Sequence, residues 1–132
     1  MGMGQVLFEQ SIPDANWYEY FQWLLRQRRR FVVRENSMVP TLMPGDTVLA
    51  EIRRSVQVGD VVIVQAPASV AKLADTAGLL LIKRVHDIFY DGGVYVISDN
   101  AKELSARDSR HFGAIAANQI VGRVTSRLAA AP

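Results

Sequence analysis

The sequence predicts a mainly β domain preceded by one α-helix. Beyond residue 30, short apolar stretches rich in Val, Ile and Leu alternate with turn-forming residues, which is typical of an all-β domain. The predicted strands are residues 31–35, 47–51, 61–65, 79–87, 94–98 and 120–125. The turn signals between them are Pro44-Gly45-Asp46, Gly59-Asp60, Asp91-Gly92-Gly93 and Asp99-Asn100. The pair Gly92-Gly93 predicts a hairpin between two of these strands.

Length and composition favour one compact domain. Of the 132 residues, 1–30 form an N-terminal segment with an amphipathic helix and 31–132 form the β domain. No apolar stretch approaches the roughly 20 residues that span a bilayer, and no secretory signal pattern is present, so a cytoplasmic protein is expected. The absence of cysteine excludes disulfides and thiolate metal sites. A net charge of +2 is too balanced to indicate nucleic acid as a partner.

The predicted helix begins near Pro13, with Ser11 as its cap, and ends in an arginine-rich stretch at residues 26–30. Apolar residues recur at helical spacing on one side, at Trp17, Tyr20, Phe21, Leu24 and Leu25. The favoured interpretation is that this stripe packs on the β domain. Peripheral contact of the stripe and its arginines with anionic lipid is an alternative, and an acidic partner surface is another.

Ser37 and Lys83 are the candidate catalytic residues. A serine hydroxyl needs a neighbouring group that accepts its proton, and a lysine can do this only where burial keeps its amine neutral. In the predicted strand at 79–87, alternation places Lys83 on one face with its apolar neighbours Leu79, Leu81 and Val85. Such a face can supply the desolvation that lowers a lysine pKa, which costs about 1.4 kcal/mol per pKa unit. The pair therefore indicates a serine-lysine hydrolase.

Both residues also have structural interpretations. Ser37 can cap the turn before Pro40, and Lys83 can extend its amine to solvent from a strand edge. A triad of Ser37, His111 and Asp108 is conceivable, but packing or exposure is the favoured interpretation of His111. The two histidines lack the spacing of metal ligands, so neither a metal nor a cofactor is expected.

Four motifs, taken in order, resemble the signal peptidase I family of serine proteases. They are Ser37-Met38-Val39-Pro40-Thr41-Leu42 with Pro44-Gly45-Asp46, Gly59-Asp60-Val61-Val62, Lys83-Arg84-Val85, and Ser98-Asp99-Asn100 with Asp108-Ser109-Arg110 and Gly113. The resemblance extends over residues 31–125. It implies the β-fold of signal peptidases and of SOS-repressor C-terminal domains, with Ser37 as nucleophile and Lys83 as general base.

The resemblance also implies how the oxyanion and the substrate are bound. The family often has a serine two residues before the nucleophile, but this position is Glu35 here. The oxyanion would then be stabilised by the N–H of Ser37, with help from the Asn36 side chain. An extended substrate would add a strand beside the edges near residues 31–35 and 79–82. The residues expected to contact it are Val33, Glu35, Met38, Leu81 and Ile82.

The last motif departs from the family pattern as well. The family usually has a serine two residues before the aspartate that holds the last loop, and that place is Ala106 here. Ser105 is the candidate for orienting Lys83 if the loop carries an insertion. Asp108 and Arg110 would clamp the loop as an ion pair.

Within that family, the chain is most similar to the nickel-type superoxide dismutase maturation proteases, on residues 112–126 and on the missing anchor. This similarity implies that the partner is an apo superoxide dismutase precursor, whose N-terminal extension is removed. The alternatives are signal-peptidase-like processing of another substrate, a self-cleaving repressor-type dimerisation domain and a non-catalytic β interaction module.

Residues 66–78 are predicted to be a mobile insertion. The Ala77-Gly78 bond in it resembles the self-cleavage bond of the repressors, but follows the nucleophile instead of preceding it.

Overall fold

The computed structural model describes residues 11–52, 55–67, 70 and 79–132. The predicted insertion and its Ala77-Gly78 bond lie mostly outside these residues. The elements are α1 (Trp17–Leu24), β1 (Arg28–Val32), β2 (Thr47–Glu51), β3 (Val61–Gln65), β4 (Leu80–Ile88), β5 (Val94–Ile97), α2 (Ser109–Phe112), a 3-10 turn (Ala117–Gln119) and β6 (Ile120–Ala129). The mainly β fold with one N-terminal helix is therefore confirmed.

The six strands form one sheet in the order β1-β2-β6-β3-β4-β5, and all neighbours are antiparallel. Its two faces bury separate apolar clusters. Val62, Val64, Leu81 and Val85 belong to one cluster, whereas Val48, Val61 and Ile63 belong to the other. This division follows the alternation of side chains along a strand. It confirms that Leu81 and Val85 share a face.

The strand predictions differ in accuracy. β2 and β3 have the predicted bounds, and β4 and β5 lie within one or two residues of theirs. β1 begins at Arg28 instead of residue 31, so the prediction that residues 28–30 end the helix was wrong. The helix already ends at Leu24, with Leu25 as its C-cap, and Arg26 follows with a positive φ of 64° that turns the chain.

The predicted start of the helix was also wrong. α1 begins after Asn16, whose side chain accepts a hydrogen bond from the Glu19 N–H at 3.0 Å. Asn16 therefore caps α1 in place of Ser11. In the described part of the chain, no helix is long and apolar enough to cross a membrane.

α1 contacts the sheet through a carboxylate. Glu19 is the buried residue of the helix, and it accepts hydrogen bonds from Thr125, from Ser126 at 3.0 Å and from Arg28 at 3.3 Å. Burial raises the pKa of Glu19, but these hydrogen bonds outweigh it and lower the pKa overall. The expected stripe of Trp17, Phe21 and Leu24 is exposed instead, so the prediction that it packs on the β domain was wrong.

Candidate active site

The loop after β1 carries Ser37, and hydrogen bonds fix it at both ends. At its start, the N–H of Val33 donates to the Asp46 carbonyl at 2.8 Å, and Gly45 donates to the Val33 carbonyl at 2.7 Å. Gly45 has a φ of 95°, which favours glycine in this turn. At the serine itself, the N–H of Asn100 donates to the Ser37 carbonyl at 2.9 Å. The last motif therefore holds the nucleophile loop in place.

Lys83 is almost fully buried in β4, with 1% of its surface exposed. Its Nζ donates a hydrogen bond to the Ser98 hydroxyl at 3.0 Å. Burial lowers the pKa of Lys83, while the negative charges of Asp108 and Glu35 oppose the shift without cancelling it. A neutral amine is the form of lysine that can accept a proton, so this environment suits a general base.

Ser98 connects Lys83 to a buried carboxylate. Its N–H donates to Asp108 Oδ2 at 2.9 Å, and its hydroxyl also bonds the Asp108 side chain. Burial raises the pKa of Asp108, but hydrogen bonds from Arg110 and Ser98 outweigh this and lower the pKa far below its usual value. Arg110 binds the same carboxylate with two nitrogens, at 2.7 and 3.0 Å. Asp108 and Arg110 thus form the expected ion pair.

A second network joins all four motifs. Arg84 Nη2 lies 2.6 Å from Asp99 Oδ2, and the Thr41 hydroxyl donates to the same oxygen at 2.6 Å. Arg84 Nη1 also donates to the Gly59 carbonyl at 2.8 Å. Charged hydrogen bonds of this kind are stronger and more directional than neutral ones. They fix the nucleophile loop against the strand that carries Lys83.

Ser37 and Lys83 line the same cavity, which has a volume of about 350 Å³. Its walls are mainly apolar, and they include all five residues expected to contact substrate: Val33, Glu35, Met38, Leu81 and Ile82. Within the described residues, the hydroxyl and the N–H of Ser37 form no hydrogen bond, so both groups are available to a ligand in this cavity. The cavity is large enough for a short apolar side chain and part of its backbone.

Two strand edges border this cavity. The bonds of Val33 to the β2 side imply that the backbone groups of Val32 and Arg34 point away from β2. Likewise, Ala66 donates to the Leu79 carbonyl and Val85 to the Asp60 carbonyl, so Leu80 and Ile82 point away from β3. β5 pairs with β4 only from Arg84 onward. An extended peptide could therefore bond to both edges.

The structure places the remaining predicted site residues elsewhere. Asn36 is exposed, its carbonyl accepts from Asn100 Nδ2 at 2.9 Å, and its side chain bonds Glu103. Ser105 is also exposed and donates to Glu103, so the expectation that it orients Lys83 was wrong. His111 completes the capping box of α2 with Asp108. In the part of the chain that the structure describes, no cluster of His, Asp or Glu could hold a metal ion.

Sequence reasoning missed Ser98 as the partner of Lys83. A signal for it was present, because Ser98 belongs to the last motif and ends a predicted strand. The motif spacing of the family pointed instead to the region of Ser105 and Ala106. The intervening loop moves Ser105 to the surface, and the end of β5 brings Ser98 to the lysine.

Residues 24–88 match the sequence profile of the family described as signal peptidase, peptidase S26. This part of the chain is similar to signal peptidases. The match covers just under half of the chain and includes Ser37 and Lys83, so it supports a signal-peptidase-like family and indicates a serine peptidase. No curated protein matches the chain. Because the match is to the family as a whole, the similarity to nickel superoxide dismutase maturation proteases stays a prediction.

In this site, Ser98→Ala is expected to lower kcat for peptide cleavage by about 10- to 100-fold, because Lys83 loses the hydroxyl that orients it. The pH profile should also shift, since that hydroxyl contacts the amine whose proton is transferred. Ser98→Thr should restore much of the rate. Ser105→Ala is the matched control, and its kinetics should equal those of the wild type. Equal effects of the two alanine variants would contradict the role of Ser98.

Proposed function

We propose that the protein is a serine endopeptidase in which Ser37 is the nucleophile and Lys83 the general base. One observation carries this proposal: a buried lysine with a lowered pKa lines the same apolar cavity as a serine whose hydroxyl has no partner among the described residues. A lysine that served only to stabilise the fold would be expected to extend its amine to solvent or to bind a carboxylate directly. Lys83 does neither, because its amine is buried and donates a hydrogen bond to the Ser98 hydroxyl.

The proposed reaction is acyl transfer in two stages. Ser37 Oγ attacks the scissile carbonyl carbon while its proton passes to Lys83 Nζ, and the N–H of Ser37 stabilises the oxyanion. The C–N bond then breaks as Lys83 returns the proton to the leaving amine. Water hydrolyses the resulting ester, again with Lys83 as the base, and Ser37 is regenerated.

The substrate would bind as an additional strand between the two edges at the cavity. Backbone groups of Val32, Arg34, Leu80 and Ile82 would supply affinity that is independent of sequence, because they meet only the main chain of the peptide. Selection would come from the apolar cavity, which favours small uncharged side chains before the scissile bond.

The natural substrate that we propose is an apo nickel superoxide dismutase precursor with an N-terminal extension. Support for this finer assignment comes from the resemblance of the sequence motifs to the maturation proteases. Removal of the extension would free a terminal amine for the nickel site of that partner.

Incubation of the purified protein with such a precursor tests this assignment, with the intact mass of the precursor as the readout. We expect one cut that removes the extension, and no cut with the Ser37→Ala variant. If the precursor stays intact while a generic peptide with small residues is cleaved in a Ser37-dependent manner, the activity stands and the substrate is wrong. If neither is cleaved, the proposed activity itself is contradicted.

A further inference from the structure

The surface of α1 and its flanks is unusually apolar for an exposed helix. Trp17 is 89% exposed and Leu24 is 77% exposed. The other large apolar side chains exposed in this segment are Tyr18, Tyr20, Phe21, Trp23 and Leu25. We call these seven side chains the aromatic face. Clusters of this kind on soluble domains mark contact surfaces, because each exposed apolar group loses the benefit of burial.

The orientation of α1 explains why this face points outward. Glu19 is held by Thr125 and Ser126 of β6 and by Arg28 of β1, so the polar side of the helix lies against the sheet. A buried carboxylate that accepts several hydrogen bonds fixes the helix rotation more strictly than an apolar stripe would. The aromatic face is therefore held toward the outside by the fold itself.

Positive charge adjoins the aromatic face. Arg26, Arg30 and Arg34 are exposed in the same segment, and Arg29 is exposed on the opposite face of β1. Of the acidic residues there, Glu19 is buried against Arg28, and Asp14 lies 3.5 Å from Arg127. Glu35 remains at the edge of the cavity. The segment thus presents a positive surface beside large amphipathic aromatic rings.

We propose that α1 and the arginines that follow it dock on a negatively charged lipid surface. Tryptophan and tyrosine favour the boundary between acyl chains and headgroups, because their rings are apolar and their tips are polar. Arginines beside an apolar helix face bind the phosphates of anionic lipids. A protein partner would be expected to bury a face with fewer charges at its centre.

This docking surface is continuous with the candidate active site. Alternation along β1 places Arg30 and Val32 on the face that Arg28 shares with α1, and Val32 lines the cavity together with Arg34, which follows the strand. Docking would therefore bring the mouth of the cavity close to the lipid headgroups. This docking is separate from the proposed peptidase activity, since it concerns which face of the protein binds a lipid surface.

Intrinsic fluorescence of the full chain tests the proposal directly, because Trp17 and Trp23 are the two tryptophans of the sequence. With vesicles that mix phosphatidylglycerol and phosphatidylcholine at low salt, we expect a blue shift of the emission and quenching by brominated acyl chains. Vesicles of phosphatidylcholine alone should give a much weaker response, and high salt should reverse the binding.

Variants distinguish vesicle binding through the aromatic face from nonspecific adsorption of the protein to vesicles. Trp17→Ser and Phe21→Ser together should lower the vesicle partition coefficient, measured by sedimentation, by about tenfold or more. Tyr90→Ser is the matched control, because Tyr90 is also fully exposed but lies beside β5, at the opposite edge of the sheet from β1. Its partition coefficient should equal that of the wild type. Cleavage of a soluble peptide should be the same in all of these proteins.

Three results would overturn the proposal. The first is an emission spectrum that does not change with anionic vesicles at low salt, including the case in which the aromatic face is already covered in the free protein. The second is equal sedimentation of the double variant and the wild type. The third is self-association without vesicle binding, seen by analytical ultracentrifugation and lost in the double variant, which would identify a second copy of the chain as the partner. None of these results would contradict the proposed peptide cleavage by Ser37, which is tested separately.

Discussion

Replacement of Ser37 by alanine is expected to lower the rate of peptide cleavage by about a thousandfold or more, because no acyl intermediate can form without the hydroxyl. Stability should change little, since this hydroxyl forms no hydrogen bond with the described residues and alanine fits the same space. Single-turnover cleavage of a peptide measures the first effect, and thermal unfolding measures the second. A variant that cleaves at the wild-type rate would exclude Ser37 as the nucleophile.

A chemical probe provides an independent control for this prediction. A serine-directed acylating reagent should label the folded wild type once, at Ser37, and should leave Ser37→Ala unlabelled. If the folded wild type resists the reagent, the alternative of a non-catalytic β interaction module gains support. Labelling at another serine would show that the hydroxyl at position 37 is not the activated one.

Replacement of Lys83 by methionine is expected to abolish cleavage and to stabilise the fold at the same time. Methionine fills a similar space in the buried site without the cost of desolvating an amine. Asp108 would keep its partner, because Arg110 binds it with two nitrogens. We expect the free energy of unfolding to rise by about 1 to 4 kcal/mol near neutral pH, measured by denaturant unfolding. Lower stability in Lys83→Met would contradict this account of the lysine.

The pH dependence of both properties follows from the lowered pKa of Lys83. Between that pKa and the ordinary lysine pKa, the unfolded chain binds more protons, so the stability of the wild type should rise with pH relative to Lys83→Met. The pH-dependent part of the destabilisation by Lys83 is largest below its folded-state pKa and vanishes above the unfolded one. Cleavage should rise with pH through the folded-state pKa, because protonation removes the base. A flat rate from about pH 5 to pH 9, with chemistry limiting, would exclude this mechanism.

The sequence predicted the sheet better than the helix, for a physical reason. β2 and β3 were placed correctly because their apolar stretches are bounded by turn residues that end a strand locally. The helix prediction depended on an apolar stripe, and spacing alone does not say whether such a stripe faces the sheet or the outside. The hydrogen bonds of Glu19 turn its side of the helix toward the sheet. Its partners in β6 lie more than one hundred residues away in sequence, so local spacing could not predict this orientation.

The candidate site also had a part that the sequence predicted and a part that it did not. The sequence predicted Ser37 and Lys83 as the catalytic pair, and both line one cavity together with the five residues expected to contact substrate. Motif order and strand alternation did not show which serine bonds Lys83, because that depends on the path of the loop from Asn100 to Asp108. Hydrogen bonds within that loop, such as the bond from Ser105 to Glu103, set this path.

Three consecutive residues after β5 each bond a different part of the site: Ser98 bonds Lys83, Asp99 bonds Arg84 and Thr41, and Asn100 bonds the backbone at Ser37. They follow both the nucleophile and the base along the chain, and their own anchor, Asp108, comes later still. During synthesis, Ser37 and Lys83 would therefore emerge from the ribosome before anything can align them. The proposed peptidase activity would arise only once residues 98–108 have been made, so a product that stops before them would be inert toward its neighbours.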